Sequence, residues 1–246
     1  DISGSGTVTN RSQILACGRQ CADRKNNLFW TFVSPIVTGT LYSDEGTTAI
    51  TSGNVAISYN GGTITEEVAV DAGGQYSLSG GVMTGGTLVT LFVNGSSDDA
   101  VTVVLGSGGS MTGMSLFKDR LILRSESGSV AVTNAHIAVA DDKAGDSDDD
   151  ITNIISAATP SALTVASAKE LLVWTGDMFR PGGTIVTHDL DINGTLDYQD
   201  NSLGVTGSWD ATGGTASGND VTSFTSTAAE TVTSAGNTFN NVTFNG

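Results

Sequence analysis

Apolar and polar residues alternate along much of this chain, in short runs divided by glycine and asparagine. Val37-Thr38-Gly39-Thr40-Leu41-Tyr42 alternates for most of its length, and so does Val55-Ala56-Ile57-Ser58-Tyr59. A period of two places every second side chain on one buried face, which marks a strand rather than a helix. Asn60-Gly61-Gly62 follows as a hairpin-type turn, because asparagine and glycine tolerate positive φ. Ile64, Val68 and Val70 lead into Asp71-Ala72-Gly73-Gly74-Gln75-Tyr76-Ser77-Leu78, and further strands are expected over residues 88–93, 100–105 and 121–124. Upstream, Leu28-Phe29-Trp30-Thr31-Phe32-Val33 is a concentrated apolar strand before Pro35. Short strands of this kind, spaced roughly ten residues apart with turn residues between them, signal a β-sandwich.

The pair formed by Val37-Thr38-Gly39-Thr40-Leu41 and Asp71-x-x-Gly74-x-Tyr76-x-Leu78 resembles the Ig-like modules of bacterial surface proteins, of the CNA-B and carboxypeptidase-regulatory type. That resemblance implies a stalk or presenting module rather than chemistry. A second pattern occupies the C-terminal third. Leu190-Asp-Ile192-Asn-Gly194-Thr-Leu196-Asp197 aligns with Leu203-Gly-Val205-Thr-Gly207-Ser-Trp209-Asp210. Trp174-Thr175-Gly176-Asp177 is a weaker copy upstream, and the stretch from Phe239 to Phe244 continues the style. This resembles the rungs of right-handed parallel β-helix surface proteins, in which stacked rungs share one continuous core. From Leu190 to Leu203 the path is roughly 43 Å at about 3.3 Å per residue, short for a full three-faced coil. Two readings follow: neighbouring faces of one rung, or strands of a second sandwich. The fold expected is therefore all-β, an Ig-like β-sandwich attached to or inserted in a parallel β-helix (solenoid). Residues 1–36 form an N-terminal strand segment with a cysteine pair and 37–127 the sandwich. An acidic connecting region spans 128–165, and 166–246 are solenoid rungs expected to continue beyond the chain given.

Charge narrows the partners. Asp and Glu number 26 against 10 Lys and Arg, a net charge of −16. Nucleic acid and anionic membrane surfaces need cationic patches, so neither is an expected partner. No apolar run approaches the roughly 20 residues of a membrane helix. Arg11, Arg19, Arg24 and Lys25 cluster near the start, as a basic loop. The chain opens on Asp1, as a processed end would, and its composition suits an extracellular or cell-surface setting. Expected partners are further copies of the chain, other cell-surface proteins, or carbohydrate.

Two acidic stretches are candidate calcium sites. Asp146, Asp148 and Asp150 place carboxylates at alternate positions after Asp141 and Asp142. Asp189, Asp191, Asn193, Asp197 and Asp200, with Gly194, match the spacing of an EF-hand or dockerin loop, although the last ligand is Asp rather than Glu. The same residues are also explained by the rung repeat, and a dockerin helix does not follow. Cys17 and Cys21 are the only cysteines. An oxidising compartment would pair them as a disulfide; free thiols or a metal are the other readings.

No enzyme motif is legible. A polyanion lyase needs cationic clamps, and the chain holds no Lys or Arg after Arg180. Asp189, Asp191, Asp197 and Asp200 could supply the carboxylate pair of a glycosidase, but on solenoids such residues are commonly turn formers. The function expected is an extracellular structural or adhesive part of a fibre, stalk or envelope layer, without catalysis. The alternative is a carbohydrate-binding or carbohydrate-degrading β-helix module, for which Trp174, Tyr198 and Trp209 are the aromatics that matter, although Trp209 sits in phase with Leu196 and is expected in the core.

Overall fold

The computed structural model describes residues 35–79, 81, 83–141 and 149–246. Strands follow the alternation in the sequence. The first half carries β1 (Ile36–Tyr42), β2 (Asn54–Tyr59), β3 (Glu66–Ala69), β4 (Gln75–Ser79), β5 (Gly85–Asn94), β6 (Val101–Ser107), β7 (Leu116–Phe117) and β8 (Arg120–Ser125). Two helices, α1 (Asn134–Asp141) and α2 (Asp149–Thr152), precede the hairpin of β9 (Ile155–Thr159) and β10 (Ala162–Val165). Between β2 and β3, Asn60 and Gly61 take φ of 51° and 68°, the positive values a tight hairpin turn requires.

From there the chain winds as a solenoid. One turn holds β11 (Glu170–Val173), β12 (Met178–Phe179) and β13 (Thr184–Thr187). The next holds β14 (Asp189–Ile192), β15 (Thr195–Gln199) and β16 (Leu203–Val205). β17 (Trp209–Asp210), β18 (Thr215–Gly218) and β19 (Val221–Phe224) follow, then β20 (Val232–Thr233) and β21 (Asn241–Phe244). Each strand is parallel to the one a turn later. Leu171, Leu190 and Trp209 stack on one face, Phe179, Leu196 and Ala216 on the second, and Ile185, Leu203 and Thr222 on the third. All nine are buried. The β-solenoid has about seven turns. Leu190 and Leu203, which share a sequence phrase, lie on different faces of a single turn. The repeat marks neighbouring faces, not successive rungs.

An Ig-like sandwich is not shown. β2, β3, β5 and β6 are antiparallel neighbours, but β6 pairs in parallel with β8, and β8 in parallel with β11. One nine-stranded sheet, in the order β20-β17-β14-β11-β8-β6-β5-β2-β3, therefore crosses the expected boundary at residue 127. Alternation fixes which face a side chain takes; it does not fix which strand lies alongside. The small sheet β4-β1-β7 covers the outer face of this first half. Val37, Leu41 and Leu78 there pack on Val55, Ile57, Leu91 and Val104. On the inner face, Ala56, Phe92 and Leu121 belong to the core that continues to Trp209 and Phe224. The local phrase was informative even so. Asp71 accepts hydrogen bonds from the Gly73 and Gln75 amides, and Tyr76 and Leu78 point inward. The Tyr76 hydroxyl donates to the Met114 carbonyl. The region read as an acidic connection is partly core: Ile137, Ala140, Ile151, Ile154 and Ile155 are all buried.

Gly194 shows why the corners carry glycine. A Cβ there would collide with the carbonyl oxygens of Trp174 and Asp177 on the preceding turn. Those are backbone atoms, so neither can rotate away. Gly194→Ala is expected to lower stability by about 1–3 kcal/mol, the usual range for forcing extra volume into a packed site. Urea unfolding checks this; a loss no larger than that of Gly109→Ala, where the added methyl meets nothing closer than the Ser107 hydroxyl at 3.9 Å, would count against the corner argument.

Candidate functional site

The outward face of the nine-stranded sheet changes character along the solenoid. Beneath the small sheet it is apolar, with Ile122 and Leu172 packed on Phe117, and Tyr42 and Trp174 at the margin. One strand further it becomes acidic. β11 and β14 pair Glu170 with Asp189 and Leu172 with Asp191, and β17 sets Asp210 beside Asp191. These side chains point outward because their neighbours Leu171, Leu190 and Ile192 point into the core. The loop after β1 then brings Glu45 over the same spot. Asp44 shapes that loop by accepting from the Thr47 and Thr48 amides at 2.7 and 2.9 Å.

Carboxylate oxygens of Glu45, Glu170 and Asp191 lie within 4.8 Å of one another. They border a cavity of about 280 Å³, also lined by Asp189, Asn193, Ser208 and Asp210. Arg120 on β8 holds the group together. Its Nε donates to Glu170 at 2.9 Å, and its Nη2 to Glu45 at 3.0 Å. Burial raises the proton affinities of these acids more than the one guanidinium lowers them. Burial pushes Glu170 up to about 7, against the pull of Arg120. Burial, with repulsion from Glu45 and Asp210, pushes Asp191 up to about 6. The Glu170 Oε1 atom is buried without a hydrogen-bond partner. Near neutral pH the cluster therefore holds protons that ordinary carboxylates would release. Hard divalent cations take several carboxylate oxygens, and these three could hold one.

Of the residues flagged by the EF-hand spacing, Asp189, Asp191 and Asn193 border this cavity, and Asp197 and Asp200 do not. Asp189 and Asp191 sit on β14 in the nine-stranded sheet, and Asp197 sits on β15 in the three-stranded sheet. Each has its own partner. Asp189 accepts from the Ser208 amide at 2.7 Å, and Asp191 from Asn193 Nδ2 at 2.7 Å. Asp197 pairs with Arg180 at 2.8 Å, and Asp200 accepts from Asn219 at 3.0 Å. The segment is two strands and a corner, not a loop. Asp150 is buried and accepts from the Gly95 amide at 2.6 Å. Asp146, Asp148, Cys17 and Cys21 lie outside the described residues.

Of the three aromatics, Trp209 and Tyr198 are core, the Tyr198 hydroxyl bonding Thr222 at 3.1 Å. Trp174 is partly exposed, with the Arg124 guanidinium 4.5 Å from its ring centroid. A shallower depression of about 610 Å³ lies over β1 and β4, lined by Thr38, Thr40, Gln75 and Ser77 among others. Glu45 and Glu170 were invisible to sequence reasoning, since no local spacing links a loop at 45 with strands at 170 and 191. Comparison with protein families, with curated proteins and with solved structures finds no match to the chain.

Proposed function

We propose that the chain is a secreted structural or adhesive protein, a part of a cell-surface fibre, stalk or envelope layer, and that it performs no catalysis. One observation carries this reading. From β8 onward the strands of the nine-stranded sheet stack in parallel register over a single core, so each turn rests on its neighbours and the body extends by repetition. Such a body spans distance and presents side chains in columns. Calcium belongs to this reading as a stiffener of the Glu45–Glu170–Asp191 cluster, which ties the loop after β1 to the solenoid.

Immunogold labelling of intact producing cells tests the proposal, with label expected outside the cell in fibres or a continuous layer. Label that enters only after permeabilisation would reject it. The alternative, a carbohydrate-binding or carbohydrate-degrading module, draws on the same cavity. A carboxyl that keeps its proton near neutrality beside a second acid is what glycosidic chemistry uses. The loss of two of the three candidate aromatics to the core weighs against a sugar platform.

A further inference from the structure

Every described Lys and Arg already pairs with a carboxylate. Lys118 meets Asp98, Arg124 meets Glu126 and Arg180 meets Asp197, while Arg120 and Lys169 each hold two acids. No described cation pairs with Asp189, Asp191 or Asp210, which line the cavity from β14 and β17. Asp210 and Thr212 are exposed, so among the described residues the outward sheet face is open there. In the cavity wall the buried Glu170 Oε1 atom has no hydrogen-bond partner. Negative charge on this face is in surplus, and the described residues hold no further Lys or Arg to balance it.

Of the ten Lys and Arg in the chain, five are described, which leaves five. Lys143 stands in a run of aspartates and has acids on either side of it in sequence. Arg11, Arg19, Arg24 and Lys25 fall within 15 residues that contain one acid, Asp23. Those residues precede β1 and lie outside the described part. Reach is no obstacle. Lys25 is 11 residues before Ile36, a tether of up to roughly 36 Å at about 3.3 Å per residue. β1 itself covers roughly 20 Å by the same measure, and the loop after it carries Glu45 to the cavity.

We propose that the acidic sheet face around Asp191 and Asp210 is a docking surface for the chain's own basic segment, residues 11–25. The proposal goes beyond the structural reading above and holds wherever the protein resides. Charge complementarity selects the occupant, since this segment is the one stretch of the chain in which cations outnumber acids fourfold. A single exposed ion pair is weak, and salt screens it. Several pairs acting together are not, when a tether keeps them near at an effective concentration of millimolar order. Arginine suits the task because its guanidinium meets a carboxylate through two parallel hydrogen bonds. A docked segment competes with calcium for the Asp191 carboxylate.

Cys17 and Cys21 are the only cysteines, so the full chain carrying Cys17→Ser takes a nitroxide label at Cys21 alone. In calcium-free buffer at low salt, the label should broaden the amide resonances of β14 and β17 several-fold more than those of β13 and β16, on another face. In 1 M salt, where the screening length is about 3 Å, the difference should vanish. Arg24→Glu with Lys25→Glu should abolish it as well, and adding Asp210→Lys to that pair should bring part of it back. If Asp210→Lys melts early, Thr212→Lys at the neighbouring exposed position replaces it. Broadening spread evenly over the faces, centred elsewhere, or indifferent to salt and to these variants would overturn the proposal. So would broadening seen only when nitroxide and isotope label sit on different chains, because the occupant would then be a second copy. Surface labelling of cells reads out separately, so either idea can fail alone.

Discussion

Replacing Trp209 by alanine is expected to destabilise the protein by about 3–5 kcal/mol, the range for removing a large aromatic from a packed core. Its ring is fully buried and meets Phe239 and Phe224 edge-on, at centroid distances of 5.0 and 6.1 Å. The side chain fills the solenoid where successive turns meet, and few rearrangements can close the hole. Trp209→Phe should recover most of the loss. The indole Nε1 is buried without a hydrogen-bond partner, so replacing it with carbon sacrifices no bond. Urea unfolding of both variants measures this. An alanine variant as stable as Val186→Ala, at an exposed outward position, would show that the column of stacked side chains is not what holds the turns together.

Stability is also expected to fall between pH 5 and pH 8. Glu170 titrates at about 7 and Asp191 at about 6 in the folded protein, both above their ordinary values and both chiefly because of burial. A carboxyl raised on folding favours the folded state while protonated. Its contribution is complete below about pH 4 and is lost as pH rises through 6 and 7. For Glu170 alone this amounts to on the order of 3 kcal/mol. Thermal melts at stepped pH should show the decline, and Glu170→Gln, which cannot ionise, should flatten it. At pH 8 those carboxyls are largely ionised, and calcium held between Glu45, Glu170 and Asp191 would neutralise them, so adding calcium should restore stability in the parent chain and less in the variant. An unchanged pH slope in Glu170→Gln would remove the cluster as its source. No recovery with calcium would remove calcium from the proposed function.

Much of the local structure was legible in the sequence. The strand at Val55-Ala56-Ile57, the turn at Asn60-Gly61 and the inward pair Tyr76 and Leu78 all depend on neighbours within a few residues, and each forms, although that strand is buried on both faces rather than one. The apolar phrases of the C-terminal third likewise name core residues, from Leu190 through Trp209. What the sequence concealed is pairing at a distance. Leu190 resembles Leu203 because every face of a turn asks for the same alternation, yet the residue stacked on Leu190 is Trp209. The EF-hand-like spacing at 189–200 has a related origin, because a corner glycine flanked by outward aspartates imitates a loop. Glu45 and Glu170 could not be joined in sequence at all. Their meeting depends on a small sheet laid over the solenoid and on Arg120 reaching both.

The nine-stranded sheet has a consequence for how the chain can be divided. β8 and β11 are hydrogen-bonded neighbours, Leu121 beside Leu171 and Leu123 beside Val173, although a long excursion through both helices separates them in sequence. Cutting the backbone within that excursion would leave two pieces, each with a raw apolar seam where the other had been, and neither with a finished core. The excursion that looks like a linker is therefore a detour inside one cooperative unit. Exchanging either half for a foreign module, as one would shuffle beads on a string, would sever the ladder that makes the halves a single molecule.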